Sequence, residues 1–168
     1  KDIYFTSVNK GYAAGDWGTI LRTTNSGINW IRYFDINMSF FNDISFINQQ
    51  TGFACGTGGF VLRTTNEGVT WQSVYTGSGA HLLKTEFTSG RIIYLFGVQG
   101  ELWKASDIGL TWNLQPSNIP GKVSSACITP SGNLWAAVDI GKVVRSTNGA
   151  SSWETNLNQY FTYSNLNS

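Results

Sequence analysis

Apolar residues in this chain come in short bursts rich in aromatic and β-branched side chains, and Gly, Asn, Ser and Thr break them apart. The first bursts are Ile3-Tyr4-Phe5, Gly11-Tyr12-Ala13-Ala14-Gly15, Thr19-Ile20-Leu21-Arg22-Thr23 and Trp30-Ile31-Arg32-Tyr33-Phe34. None is long enough to complete an amphipathic helix. Short strands joined by tight turns, an antiparallel meander, fit the pattern. The same four places recur as Ile44–Ile47, Gly52–Gly56, Phe60–Thr64 and Trp71–Tyr75, then as Glu86–Thr88, Ile92–Phe96, Glu101–Lys104 and Trp112–Leu114. The last set is Ala126–Ile128, Leu134–Val138, Lys142–Arg145 and Trp153–Glu154.

The recurrence has a fixed step. Trp30, Trp71, Trp112 and Trp153 are 41 residues apart, as are Gly18, Gly59, Gly100 and Gly141. Self-similarity at a period of roughly 40 to 50 residues marks a propeller or a solenoid, whose units bury their faces against neighbours. The second strand of most units is small and apolar on both faces (Ala13-Ala14, Ala54-Cys55, Ala136-Ala137), with Leu95-Phe96 in the third, so it requires cover on both sides. An all-β propeller of four-stranded antiparallel blades is predicted over residues 1–168, with blades at about 1–41, 42–82, 83–123 and 124–164. A solenoid of stacked sheets is the second choice. Four blades are the lower limit for a closed wheel. The chain is therefore expected to be either a small closed wheel or an arc, the arc being an excerpt of a longer propeller or half of a homodimer. Tyr160-Phe161-Thr162-Tyr163 alternates like a strand and would begin another blade or close the ring.

Composition narrows the partners. Net charge is +1 and charged residues make up 12%, which leaves no basic stripe for nucleic acid. No run approaches the ~20 apolar residues of a membrane span. The chain begins without Met or an apolar leader, as expected after removal of a signal peptide or inside a longer protein. Few Lys and Glu and abundant Asn, Ser, Thr, Gly and aromatics suggest an extracytoplasmic location. Cys55 and Cys127 fall at different phases of the repeat, so two small buried thiols are expected and no disulfide.

The most regular stretch is a turn. Thr23, Asn25, Gly27 and Trp30 recur as Thr64, Asn66, Gly68 and Trp71, then as Asp107, Gly109 and Trp112 with Ala105 in the hydroxyl place. The fourth copy keeps Ser146, Asn148 and Trp153, but its glycine stands at Gly149 before Ala150, which predicts a distorted turn. Asn or Asp accepts backbone N–H groups in a tight turn, Gly takes positive φ and Trp covers the hairpin. A lone carboxamide per turn supplies too few oxygens for calcium. These residues are read as structural, and no cofactor or metal is expected. The signature resembles the Asp-box, or bacterial neuraminidase repeat, of propeller blades. With Gly11 to Thr24 ahead of it, and Gly52 to Trp71 repeating it, the chain resembles the Ycf48-like family of photosystem II assembly factors. That resemblance implies binding and assembly scaffolding without catalysis, and many such bacterial proteins are exported with no link to photosynthesis.

Sialidases also carry Asp-boxes, and their chemistry needs an Arg cluster, a Tyr nucleophile with Glu, and an Asp acid. Here Arg22, Arg63 and Arg145, with Lys104, recur at one phase and are spread around the wheel. They are expected to bond carbonyls or stack on aromatics between blades. Catalysis is disfavoured, although carboxylates converging at the axis would revive it. The function expected is a protein-binding scaffold; a carbohydrate-active propeller, hydrolase fragment or glycan binder, is the alternative. Meander connectivity gathers the inter-unit loops and the turns between second and third strands at one end. The candidate partner-contact residues there are Asp16, Trp17, Phe40, Phe41, His81, Gln99 and Asp139, led by the aromatics, with Phe40 and Phe41 alternatively filling the core. His81 has no second ligand near it in sequence and reads as a loop residue. Asn37-Met38-Ser39 fits the glycosylation acceptor pattern.

Overall fold

The computed structural model describes residues 1–34, 39–77, 79–89 and 91–155. Residues 160–163 and positions 37 and 38 of the acceptor triplet lie outside them.

Each repeat unit folds as a four-stranded antiparallel sheet in chain order. Blade one holds β1 (Asp2–Phe5), β2 (Gly11–Ala14), β3 (Thr19–Thr23) and β4 (Ile31–Phe34). Blade two holds β5 (Phe41–Phe46), β6 (Gly52–Gly56), β7 (Phe60–Thr64) and β8 (Gln72–Tyr75). Blade three holds β9 (Leu82–Phe87), β10 (Ile93–Gly97), β11 (Leu102–Ala105) and β12 (Asn113–Gln115), and blade four β13 (Val123–Ile128), β14 (Leu134–Val138), β15 (Lys142–Ser146) and β16 (Glu154–Thr155). The first strands of successive blades pack side by side, which makes them the inner strands of a propeller.

Each blade has a face toward its predecessor and a face toward its successor. In blade two, Ile44, Ala54 and Leu62 share a register row and face blade one, where they meet Tyr12, Ala14 and Ile20. Phe53, Cys55 and Val61 face blade three and meet Ile93, Leu95 and Trp103. A third core joins Tyr94, Phe96 and Leu102 of blade three to Ala126, Leu134 and Ala136 of blade four. The small, two-sided β6 is buried at every residue because both of its faces are inter-blade faces. Among the described residues no core joins blade four to blade one. The four described blades follow one another as an arc of a propeller.

The Asp-box turns tie the blades together. Thr23 Oγ1 accepts from the Gly27 N–H at 3.0 Å and donates to Asn25 Oδ1, which accepts from the Asn29 N–H at 2.9 Å. Thr64, Asn66, Gly68 and Thr70 repeat this pattern atom for atom. In the third turn Asp107 alone takes over, accepting from the Leu110 and Thr111 N–H groups. The hydroxyl of Thr111 and these N–H groups hold its carboxyl below the usual range. Two successive residues in each turn take positive φ: Ser26 and Gly27, Glu67 and Gly68, Ile108 and Gly109, Gly149 and Ala150.

The fourth turn is not distorted. Gly149 occupies the place of Ser26 and Ala150 that of Gly27, at φ 75°. Ser146 Oγ still accepts from the Ala150 N–H, and Asn148 Oδ1 from the Ser152 N–H, both at 3.0 Å. The hydrogen-bond cage holds an alanine in a left-handed conformation that costs about 1 kcal/mol.

The repeated Arg is an inter-blade clamp. Arg22 Nε donates to the Glu67 carbonyl at 2.7 Å and Arg63 Nε to the Ile108 carbonyl at 2.9 Å, each reaching the turn of the next blade. Arg145 stacks on Trp135, 5.5 Å from its ring, and pairs with Glu154. Both cysteines are free; Cys55 is buried, but Cys127, expected inside, is exposed because it lies on the outward face of blade four.

Substituting Thr64 with Val keeps the volume but leaves the buried Gly68 N–H without an acceptor. Urea titration is expected to show a loss of about 1–3 kcal/mol, whereas the exposed neighbour Thr65→Val changes little. Equal effects would remove the hydroxyl from its role as organiser of the turn.

Candidate binding face

Meander topology puts the inter-blade loops and the β2–β3 type turns at the end opposite the Asp-boxes. At that end Trp17 stands 62% exposed with φ 58°, in the place that Gly58 fills in blade two at φ 69°. A bulky residue held there stores on the order of 1 kcal/mol of backbone strain. Its ring lies 5.2 Å from that of Phe40, which is 39% exposed. Two backbone bonds fix the platform beneath them: Gly18 N–H to the Ser39 carbonyl at 2.8 Å, and Phe41 N–H to the Gly15 carbonyl at 3.1 Å.

The other candidates divide. Phe41 is fully buried among Tyr12, Ile44 and Leu62, so it is a core residue and not a partner contact. The reason is strand alternation, since β5 starts at Phe41 and turns its side chain inward while Phe40 remains outside. Asp16, beside Trp17, pairs with Lys1. Asp139 is exposed and Oδ1 accepts from the Lys122 N–H at 2.7 Å, which ties its turn to the loop before β13. His81 and Gln99 are exposed on the loops of blade three, where the His81 carbonyl accepts from the Val98 N–H. The structure thus brings Trp17, Phe40 and Asp16 together and leaves His81, Gln99 and Asp139 on other blades. The Asp-box set Thr23, Asn25, Gly27 and Trp30 with its copies lies at the far end.

Sequence reasoning missed a charged cluster on the inner strands. Lys84 Nζ lies 2.7 Å from Asp43 Oδ1 and 4.0 Å from Asp2 Oδ2. Asp43 is 1% exposed, and its other oxygen accepts from the Thr85 N–H at 2.9 Å. Burial raises the Asp43 carboxyl above its ordinary value, while the Lys84 ammonium pulls it back. Burial works to lower Lys84, but the hydrogen bond and charge of Asp43, with Asp2 and Glu86, raise it. Register places Asp2 opposite Ala14, Asp43 opposite Cys55 and Lys84 opposite Phe96, next to the turns that carry Trp17 and its counterparts. The cluster therefore lies at the binding end. One signal was available: Asp2, Asp43 and Lys84 share a single phase of the 41-residue step. Among the described residues no group of three or more His, Cys, Asp or Glu is arranged to hold a metal ion.

Burial, then Asp43, push the Glu86 carboxyl up to about 7, against the opposing pull of Lys84 and the Ile128 N–H. Its folded value exceeds its ordinary value of 4.5, so the protonated form favours the fold. This contribution is complete below about pH 4.5, declines as pH rises to about 7 and is gone above that. Thermal unfolding between pH 5 and 8 is expected to show a melting temperature that falls with pH, and a flatter profile in Glu86→Gln. An unchanged profile in the variant would place the titrating group elsewhere.

Residues 1–79, the first two blades, match the family model described as photosynthesis system II assembly factor YCF48. Comparison with curated proteins gives no match. Among solved structures, a YCF48 bound to a D1 peptide superposes with TM-score 0.79 at 19% identity, covering 95% of this chain and 53% of that one. YCF48 from Cyanidioschyzon merolae gives 0.75 at 18%, covering 95% and 56%. An ancestral GH74 enzyme gives 0.72 at 16%, covering 92% of this chain and 25% of that one. The chain spans about half the length of the YCF48 structures it matches. Identities this low establish the propeller architecture, and the match of the first two blades adds the repeat type. The chain is a β-propeller of Asp-box blades, four of them in succession, and its first two blades are similar to the YCF48 family.

Proposed function

We propose that this chain is a non-catalytic binding and assembly module that captures a protein segment at its loop end, with Trp17 and Phe40 as the apolar anchor. The observation that carries the reading is the exposed Trp17–Phe40 pair, held by a strained backbone on a hydrogen-bonded platform. Rigid exposed aromatics are the usual anchors of interfaces because they bury much area for little lost side-chain freedom. Lys84, held between carboxylates on the inner strands, adds charge at the same end of the blades. A structure of YCF48 with a D1 peptide supports the reading, since a propeller of this architecture there takes a peptide. The Asn-, Ser-, Thr- and Gly-rich composition supports an extracytoplasmic setting for this capture.

A carbohydrate-active propeller is the second reading, favoured by the GH74 neighbour and by Glu86, whose pKa near 7 suits an acid. Against it, Asp43 is buried and occupied by Lys84 and Thr85. Hydrolysis of any member of a polysaccharide panel, lost in Glu86→Gln, would replace the binding proposal.

Peptides selected from a displayed random library on the immobilised chain are expected to bind Trp17→Ala at least tenfold more weakly, as fits an anchor worth about 1.4 kcal/mol or more. Its melting temperature should not fall, because Trp17 contributes little to the core. Unchanged affinity, or a variant that does not fold, would remove Trp17 from the site.

A further inference from the structure

The loop end repeats with the blades, and blade two leaves open a place that blade one fills. Trp17 and Phe40 have their counterparts one step of 41 residues on, at Gly58 and His81. The backbone is alike at both joints: the Gly18 N–H donates to the Ser39 carbonyl at 2.8 Å, and the Gly59 N–H to the Ala80 carbonyl at 2.7 Å. Gly58 holds φ 69° where Trp17 holds 58°. Blade one thus sets an indole against the ring of its inter-blade loop, whereas blade two has no side chain to set against the exposed His81. A Cβ built on Gly58 would meet only the Phe60 ring, at 3.6 Å, so the space above it is open. Blade two has a described blade on either side, and the notch is flanked by Phe40, whose carbonyl accepts from the Thr57 N–H, and by the loop that carries His81.

The chemistry around the notch selects its occupant. It is balanced in charge, because the nearby carboxylates are engaged: Asp16 by Lys1, Asp43 by Lys84 and Glu101 by the Gln99 N–H. Its backbone is largely engaged as well. The Thr57 and Gly59 N–H groups donate to the Phe40 and Ala80 carbonyls, the Thr57 carbonyl accepts from the Phe60 N–H, and the Gly59 carbonyl from the Thr76 hydroxyl. A charged side chain therefore gains no counter-ion there, and a segment with free amides finds little to bond. On the Phe40 side the surface is aromatic, with the Trp17 and Phe40 rings inclined at 51° to each other. One donor remains: the indole N–H of the exposed Trp17 has no acceptor among the described residues.

Resting on the capture of a protein segment at this end, we propose that the segment is uncharged and proline-rich and binds as a polyproline II helix. One pyrrolidine ring lies on the tilted Trp17 and Phe40 rings, a second enters the notch over Gly58 beside His81, and the Trp17 indole N–H donates to a carbonyl of the segment. Proline presents a ring without an N–H, so it brings no donor to be left unsatisfied against the engaged backbone of the 57–59 turn. Polyproline II makes no internal hydrogen bonds, which leaves its carbonyls free for an indole donor. The conformation is set before binding, and this lowers the entropy cost of capture. The tryptophan of one blade and the glycine of the next are then two parts of one site.

The test is fluorescence anisotropy of fluorescein-labelled decaproline on the full 168-residue chain, with a Gly-Ser peptide of equal length as control. Decaproline is expected to bind saturably and the control not at all. Gly58→Trp gives blade two the residue that blade one carries, and should bind decaproline about tenfold more weakly with an unchanged circular dichroism spectrum. Should the positive φ prevent that variant from folding, Gly58→Asn, whose side chain tolerates the left-handed region, should weaken binding by about threefold. Trp17→Phe keeps a ring and loses the donor, and is expected to weaken binding by about threefold as well. Decaproline that fails to bind, or binding unchanged in the folded Gly58 variant or in Trp17→Phe, would overturn the proposal. Library-selected peptides that depend on Trp17 but are charged or free of proline would also overturn it, while leaving capture at Trp17 standing. Selected peptides indifferent to Trp17 would remove both.

Discussion

The structure depends on a turn that hands one backbone carbonyl to the neighbouring blade. A hydroxyl at Thr23, Thr64 or Ser146 and a side-chain oxygen at Asn25, Asn66 or Asn148 hold two residues in the left-handed region. That geometry points the carbonyl of the first of them outward, where Arg22 and Arg63 reach it from the preceding blade. Local turn chemistry and blade-to-blade docking are therefore one device. Tyr12 adds its hydroxyl to the same Glu67 carbonyl at 3.1 Å, and Tyr94 bonds the Gly149 carbonyl at 3.3 Å where Lys104 replaces the arginine. The third joint thus uses a neutral donor on the acceptor that the first joint binds with a guanidinium.

Most of this was legible before the structure, for a physical reason. A repeat of constant length maps each residue onto equivalent positions, so burial inferred in one blade transfers to the next, and the strands, the all-β fold and the clamp role of Arg22 and Arg63 follow. The fourth turn shows where residue type misleads: with the glycine one position early at Gly149 the sequence predicts distortion, yet Ala150 takes the left-handed conformation in the place of Gly27 and the turn keeps its form. The site was less legible. Phe40 and Phe41 are adjacent in sequence and opposite in environment, a difference set by where β5 begins. Asp2, Asp43 and Lys84 lie about 40 residues apart along the chain and meet only because inner strands from three blades share an axis.

Two kinds of strain are distributed differently over the molecule. At the Asp-box end, the left-handed residues Ser26, Glu67 and Ile108 sit in turns held by side-chain oxygens, two per turn in blades one and two and Asp107 alone in blade three, and strain there serves assembly of the sheet. At the loop end Trp17 holds the same backbone conformation where blade two uses Gly58, and it presents its ring to solvent. The first is strain in the service of folding; the second has no folding partner that would require a tryptophan. That contrast is the physical basis for assigning the two ends different tasks.

The exposed thiol of Cys127 gives blade four a chemical signature. It lies in the same register row as Trp135 and Arg145, whereas Cys55 is enclosed between blades two and three and its thiol is pushed far above the usual range by burial. A small electrophile would therefore discriminate between the two cysteines in the native state and alkylate only the outer one. Its reactivity is a direct gauge of whether that flank of the molecule faces water or protein.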